Sequence, residues 1–323
     1  MSMKKWLQTI TFKEILFIFI ISLVPLTWLQ GNEVITGHDA GAKLNGFDYL
    51  HAIFFSWDPA FNFGRDWTLN KGFLVTKFPE VLFTSLTGSL GYGQRLMFVF
   101  WSFIMGLSMY IFTKSFFSEK KFWILRLVAS TYYLYNFYIL QSWPVIDRAK
   151  FSVYAALPLC LLILYKTLTK VYTIKKGALL FGLVIFLLNG GSSPPIFGAL
   201  LFASLIFIMY FTIIQIKKSG ITALVHSTQL ITSFILTSVL FNAYWIFPQI
   251  ALVINNYRSK LAGVGGVEGV LAWEKMTTTY ATFTNLFRMQ GTGDPATATY
   301  TAHPLLIILS FLPFGIILFV LSR

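Results

Sequence analysis

Long runs of apolar residues, separated by polar segments, dominate the pattern of this chain. Eight of these runs approach the ~20 residues that an α-helix needs to cross the ~30 Å hydrocarbon core of a bilayer. The runs lie at about 15–30, 94–114, 122–142, 150–169, 177–190, 196–216, 222–252 and 304–321. We therefore predict an all-α membrane protein with about eight transmembrane helices.

Two of the polar segments are long, at about 31–93 and 253–303. Within the first, apolar residues recur every three or four positions from Ala42 to Trp57, and "FPEVLFTSLTGSLG" is a second short amphipathic stretch. Both patterns predict helices that lie flat at the membrane interface. The run at 177–190 ends in "NGGSSPP". That sequence breaks a helix and predicts a turn that either lines a cavity or forms an ordinary hairpin.

The composition supports a membrane protein and excludes several other classes. The chain has 323 residues, of which 56% are hydrophobic and 11% are charged. A soluble domain of this size could not bury so much apolar surface. The single cysteine, Cys160, excludes an intramolecular disulfide. The formal net charge is +13, but the basic residues are scattered between the apolar runs, so we expect no nucleic-acid partner.

The basic residues also predict how the chain is oriented. With the N-terminus inside, the cytoplasmic segments hold 14 of the 25 bases but only two of the 12 acids, Glu14 and Glu119. This asymmetry follows the positive-inside rule and predicts a multi-pass protein of the cell membrane. The two long segments then face outside, where the chemistry is expected. We predict one transmembrane module over residues 1–323, and the possibility that it is the N-terminal part of a longer protein stays open.

Four segments in and after the first long loop resemble a known family. In order, they read "HDAGAKL", "SWDPAFNFG", "LNKGFLVTKFPEVLF" and "YGQRLMF", over roughly residues 32–100. They resemble the start of the membrane α-(1→3)-arabinofuranosyltransferases of mycobacterial-type cell walls. A first span, a long outer loop with interfacial helices and a following bundle of spans resembles the GT-C glycosyltransferase fold.

The resemblance implies a glycosyltransferase. Such an enzyme moves a sugar from a polyprenyl-phosphate donor to a cell-envelope glycan or glycolipid acceptor on the outer face. Arabinofuranose is the sugar in the family, and another pentose or hexose would use the same machinery. The leaving group is already a phosphate anion, so one carboxylate base suffices and the reaction inverts the anomeric centre. No cofactor is expected, and four scattered histidines do not favour a metal site.

Asp39 is the candidate catalytic base. It follows the first predicted span, at the membrane edge where a lipid-borne donor presents its sugar, and it lies between Gly37 and Gly41. Flanking glycines allow substrates to approach the backbone closely. A cap for the interfacial helix that begins near Ala42 is the competing role for this aspartate. His38 adjoins Asp39 and is a candidate to orient it or to contact phosphate.

The donor phosphate requires cations near the interface. Lys43, in the "HDAGAKL" segment that carries the resemblance, is one candidate. Arg148 and Lys150 lie in "WPVIDRAK" between two predicted spans, and Arg258 and Lys260 follow the run at 222–252. Anchoring in the lipid headgroups is the alternative role for these last four residues.

A transporter or flippase for lipid-linked sugars is the main alternative function, and a structural subunit of an envelope assembly is another. Transporters usually carry ionisable residues at mid-membrane and often show repeated halves. The sequence shows no repeat, and 10 of its 12 acids fall in the predicted outer segments. These features favour the enzyme.

Overall fold

A computed structural model gives the structure of the chain. It describes residues 12–35, 48, 51, 54–55, 57–58, 65–66, 68–140, 142–144, 146–188, 193–263, 268–269, 271–272, 275, 278, 283–287 and 304–321. Contacts divide the chain into two compact units. The first comprises residues 1–134 and 146–249, and the second comprises residues 135–145 and 250–323.

The described residues are almost entirely helical. Besides turns and connecting residues, they include two short antiparallel strands, β1 (Trp57–Asp58) and β2 (Arg65–Asp66), and three 3₁₀ helices at Val24–Thr27, Thr68–Phe73 and Lys120–Phe122. The α-helices are α1 (Phe12–Ile21), α2 (Leu74–Thr87), α3 (Leu90–Phe116), α4 (Trp123–Tyr135), α5 (Phe137–Leu140), α6 (Arg148–Leu168), α7 (Ile174–Leu187), α8 (Pro194–Ser219), α9 (Ile221–Gly263), α10 (Phe283–Phe287), α11 (Pro304–Ser310) and α12 (Leu312–Leu321).

Every predicted apolar run overlaps a helix, but the described helices differ in length. Four of them are long and apolar enough to cross a membrane: Leu90–Phe116, Arg148–Leu168, Pro195–Lys217 and Ile221–Ala251. The prediction of a helical membrane protein is therefore confirmed at this level. The other four predicted spans correspond to shorter helices, so the count of about eight stays a prediction.

Local chemistry explains where two of the shorter helices end. The predicted run at 15–30 is divided between α1 and a 3₁₀ helix with Pro25 in its first turn, because proline cannot donate the backbone hydrogen bond that a continuing helix needs. The run at 122–142 is interrupted at Asn136. The Asn136 side chain accepts a hydrogen bond of 3.2 Å from the Ile139 N–H, which begins a new helix.

In the first unit, α1, α2 and α6 all pack against α3. The α2–α3 connection is tight because Gly88 adopts a left-handed conformation (φ +66°) at the end of α2. Gly93 then allows close approach: a Cβ at this position would lie 2.8 Å from the backbone N and Cα of Thr84. Nearer the other end of α3, a Cβ on Gly106 would lie 2.9 Å from the Ile18 side chain and 3.0 Å from the Leu134 side chain.

A second packed region of the first unit is an apolar core built by α6, α7, α8 and α9. Its buried members include Cys160, Phe181, Leu200 and Trp245. Many apolar side chains on α8 and α9 are instead exposed, such as Phe202. Exposed apolar faces on long helices are what a lipid-facing surface requires.

The second unit is described more sparsely. It contains α5, α10, α11 and α12, and the Phe287 ring stacks on Phe314 with centroids 4.2 Å apart.

Candidate functional site

Glu80 lies on α2 and is fully buried. A carboxylate that loses its water must find other partners, since burying an uncompensated charge is costly. Arg148, the first residue of α6, supplies one, with its Nη2 donating to Glu80 Oε2. Arg148 is itself only 4% exposed. The pair therefore joins α2 to α6 inside the first unit.

Gln94 on α3 binds the other oxygen of Glu80. Its Nε2 donates to Glu80 Oε1 over 3.1 Å, and the Gln94 side chain is completely buried. A carboxylate only accepts hydrogen bonds, so it fixes which end of the Gln94 amide faces it. Glu80 thus links three helices and orients the glutamine.

The same Gln94 amide pairs with the backbone of Ile35. The Ile35 N–H donates to Gln94 Oε1 over 2.9 Å, and Gln94 Nε2 donates to the Ile35 carbonyl over 3.2 Å. Both main-chain groups of Ile35 are therefore satisfied by one side chain. Ile35 lies four positions before Asp39 in the sequence, so this pairing holds the chain just before the predicted base.

The start of α3 holds the residues before Ile35 by further contacts. Arg95 Nη2 donates to the Gly31 carbonyl. A Cβ on Gly91 would lie 2.8 Å from the Glu33 carbonyl oxygen, so the absence of a side chain there allows the segment to lie directly on the helix. We call residues 31–35 the leading segment. It is bound along its length rather than at one point.

The turn before Arg148 is strained. Ile146 is buried and has φ +49°, a conformation that a β-branched residue rarely adopts and that costs roughly 1–2 kcal/mol. The Arg148 N–H donates to the Ile146 carbonyl over 2.8 Å, and the Asp147 side chain accepts from the Lys150 N–H over 3.1 Å. The turn and the cap together start α6 at Arg148. Strain of this kind is concentrated at functional sites.

The predicted cations occupy different environments. Arg148 is buried against Glu80, whereas Lys150 is partly exposed, with its Nζ 3.2 Å from Asp147 Oδ2. Arg258 and Lys260 fall on α9, and their side chains lie outside the described residues.

The first predicted site residues cannot be compared with the structure. Asp39, His38 and Lys43 all lie outside the described ranges, and most of the interfacial helix predicted from Ala42 to Trp57 does as well. Their roles stay predictions. The second amphipathic stretch does form a helix, α2. Within the described ranges, no three His, Cys, Asp or Glu side chains cluster as metal ligands, and whether the reaction uses a metal stays a prediction.

Sequence reasoning missed Glu80 and Gln94. The apolar pattern places Glu80 in the long outer segment and Gln94 at the start of a predicted span, and it assigns neither a role. A signal is present: Glu80 lies within an apolar stretch and Gln94 at the start of another, and acids and amides are seldom buried unless paired. Lys77, one turn before Glu80, is also buried, and its Nζ lies 4.9 Å from the centre of the Phe73 ring.

A second buried ion pair lies near the other end of α3. Arg126 on α4 binds Glu14 on α1 through Nε and Nη2, both at 2.9 Å. Its Nη1 donates to the carbonyls of Phe117 and Glu119, over 2.7 and 2.9 Å. This bidentate geometry is the strongest that an arginine and a carboxylate form. We call it the Glu14 pair, and the Glu80–Arg148 contact the Glu80 pair.

Comparisons with family models, curated proteins and solved structures found no match for this chain. The function is therefore argued from the sequence pattern and the site.

Proposed function

We propose that the chain is a membrane glycosyltransferase of the GT-C type. It transfers a sugar, arabinofuranose or another pentose or hexose, from a polyprenyl-phosphate donor to a cell-envelope glycan acceptor on the outer face. Asp39 takes the proton from the acceptor hydroxyl as that oxygen attacks the anomeric carbon, and the phosphate leaves from the opposite side. The configuration inverts.

The observation that carries this proposal is the anchoring of the leading segment. A general base must be held close to its productive geometry, and sites supported by packed helices achieve this better than unsupported loops. The leading segment ends four residues before Asp39, and a completely buried glutamine holds its last residue.

Arg148 and Lys150 lie in different environments, so we propose different roles for them. Arg148 is buried in the Glu80 pair, which favours a supporting role over direct contact with a substrate. Lys150 remains partly exposed beside Asp147, so it is the better candidate for the donor phosphate. His38, Lys43, Arg258 and Lys260 are the further candidates. A flexible ammonium suits a phosphate that arrives with a mobile lipid.

Substituting Asp39→Asn tests the proposal. Asparagine keeps the size of the side chain but does not accept the proton, so turnover should fall about 10²-fold or more. The protein should fold as before, because asparagine caps a helix about as well as aspartate. The measurement is sugar transfer from polyprenyl-phosphate donors by the purified protein.

Asp48→Asn and Asp58→Asn serve as matched controls for this experiment and should retain transfer. If Asp39→Asn folds, binds donor and transfers sugar at the normal rate, Asp39 is not the base.

One observation favours the alternative, a transporter for lipid-linked sugars. The first unit buries two ion pairs, and ionisable residues within membrane spans, which are rare, often mark substrate or ion pathways. Vesicles containing the purified protein separate the two functions. A transporter would move labelled lipid-linked sugar between leaflets without consuming it, whereas the enzyme would consume donor only when acceptor is present.

A further inference from the structure

We infer that Gln94 and Glu80 are positioning residues that hold the leading segment, which ends four positions before Asp39 in the sequence, with Arg148 fixing Glu80. This inference rests on the proposed function and adds the residues that support its base. None of the three need touch a substrate. They form one continuous path of hydrogen bonds from α6 to α2, to α3 and then to Ile35.

Each step of the path is anchored to a packed helix. Arg148 begins α6, Glu80 lies within α2, and Gln94 is in the first turns of α3. The three helices pack on one another, and the Gly93–Thr84 approach keeps α2 and α3 close. Movement of the Gln94 side chain would require movement of Glu80, so the position of Ile35 is set by the helices and not by the loop.

The chemistry at position 94 requires a glutamine. The Ile35 backbone offers one donor and one acceptor, and an amide side chain is the group that presents both in the same plane. A glutamate would bring a second negative charge against Glu80 and would have no donor for the Ile35 carbonyl. A leucine would fill the volume but bind neither group. Because Gln94 is completely buried, water has no access to replace it.

Local hydrogen exchange gives a readout that does not depend on activity. The full chain, in nanodiscs of phosphatidylethanolamine and phosphatidylglycerol, should show a protected amide at Ile35. In Gln94→Leu this amide should exchange at least about tenfold faster, because its acceptor is gone, while the amides of the α3 interior keep their protection. Gln215 donates to the Leu168 carbonyl over 3.0 Å. Gln215→Leu is therefore a matched control and should leave Ile35 unchanged.

Kinetics then separates positioning from general support of the fold. In Gln94→Leu, kcat should fall by about 10²-fold, because small displacements of a reacting group cost this much. The KM for the donor should change little. The unfolding temperature should fall, because Glu80 Oε1 and the Ile35 carbonyl lose a buried donor, so kcat is compared at a temperature where both proteins stay folded. Gln215→Leu should keep both kinetic parameters.

Two results would overturn the inference: unchanged exchange at Ile35 in Gln94→Leu, or faster exchange with normal kcat. Absence of transfer by the unmodified protein would instead overturn the proposed function. The exchange rates, measured without substrate, would in that case still decide whether Gln94 holds the leading segment.

Discussion

Both carboxylate oxygens of Glu14 accept hydrogen bonds from Arg126. In Glu80, one oxygen accepts from Arg148 and the other accepts from Gln94. In the Glu14 pair, Arg126 also binds two backbone carbonyls close to it in sequence. The Glu80 pair is instead connected, through Gln94, to Ile35, which lies 59 positions before Gln94. The first arrangement joins helices, and the second also transmits their position to a loop.

This difference shows how the same two residue types serve different ends. Buried ion pairs add little net stability compared with apolar residues of similar size, because desolvation offsets much of the attraction. Their main effect is to fix which segments pack together. The Glu14 pair specifies how α1 and α4 meet, and the Glu80 pair specifies where the leading segment lies.

The largest expected effect on stability comes from Arg126→Ala. It leaves the buried carboxylate of Glu14 and two carbonyls without their donor, and breaking a buried pair costs about 3–5 kcal/mol. The free energy of unfolding, measured by steric trapping in bicelles, should fall by this amount. Lys121→Ala is the control, because its ion pair with Glu119 is exposed and should contribute little.

Arg148→Ala sharpens the comparison. Like Arg126→Ala, it should destabilise the fold. It should also accelerate amide exchange at Ile35 and lower sugar transfer. Arg126→Ala should cause neither of these two effects at temperatures where that variant stays folded. Equal loss of transfer in the two variants would remove the distinction between the pairs.

A smaller effect is expected for Gly93→Ala. The new Cβ would meet the Thr84 backbone at 2.8 Å, which cannot yield without moving α2 from α3, and overpacking of this kind costs about 1–3 kcal/mol. Gly106→Ala meets the side-chain ends of Ile18 and Leu134 at 2.9 and 3.0 Å, so its cost should be lower. Unfolding free energies measure both changes.

Gly198 provides the control, since a Cβ there would have nothing within 4 Å. Gly198→Ala should leave stability unchanged or raise it slightly through helix propensity. A greater loss for Gly106→Ala than for Gly93→Ala would show that α3 tolerates an added side chain less well where it packs on Ile18 and Leu134 than where it packs on Thr84.

The smallest effect is expected at a left-handed residue after α6. Lys170 has φ +60° and is exposed, so Lys170→Gly should raise the free energy of unfolding by about 0.5–1 kcal/mol as the strain is relieved. Ile146→Gly relieves similar strain but removes a buried side chain, so it should destabilise the protein. A gain in stability from Ile146→Gly would contradict the packing role of that turn.

The helices were predictable because apolar runs in a membrane protein report burial and lipid contact directly. The breaks were harder to predict. The Asn136 side chain begins a new helix by accepting a hydrogen bond from the Ile139 N–H, and hydropathy does not register such a contact. The start of α3 at Leu90 extends the predicted run at 94–114, because Gly91 and Gly93 lower its apparent hydropathy while serving close packing.

The candidate site was harder to foresee. Arg148 and Lys150 were selected by their position between spans, but nothing local identifies Glu80 as the partner of Arg148, since 68 residues separate them. A pairing at that distance depends on how α2 and α6 pack. Gln94 was visible as a polar residue in an apolar context, and its role required knowing that Ile35 lies against it.

The length of α3 also limits which membranes suit the protein. The 23 residues from Gln94 to Phe116 in α3 rise roughly 34 Å, close to the hydrocarbon thickness of a sterol-poor bilayer. In a thicker bilayer, the polar ends of α3 would be drawn toward the lipid tails; in a thinner one, apolar side chains would meet water. Each ångström of such mismatch costs a fraction of a kcal/mol. The length of helix α3 therefore favours a particular hydrophobic thickness of the surrounding lipid.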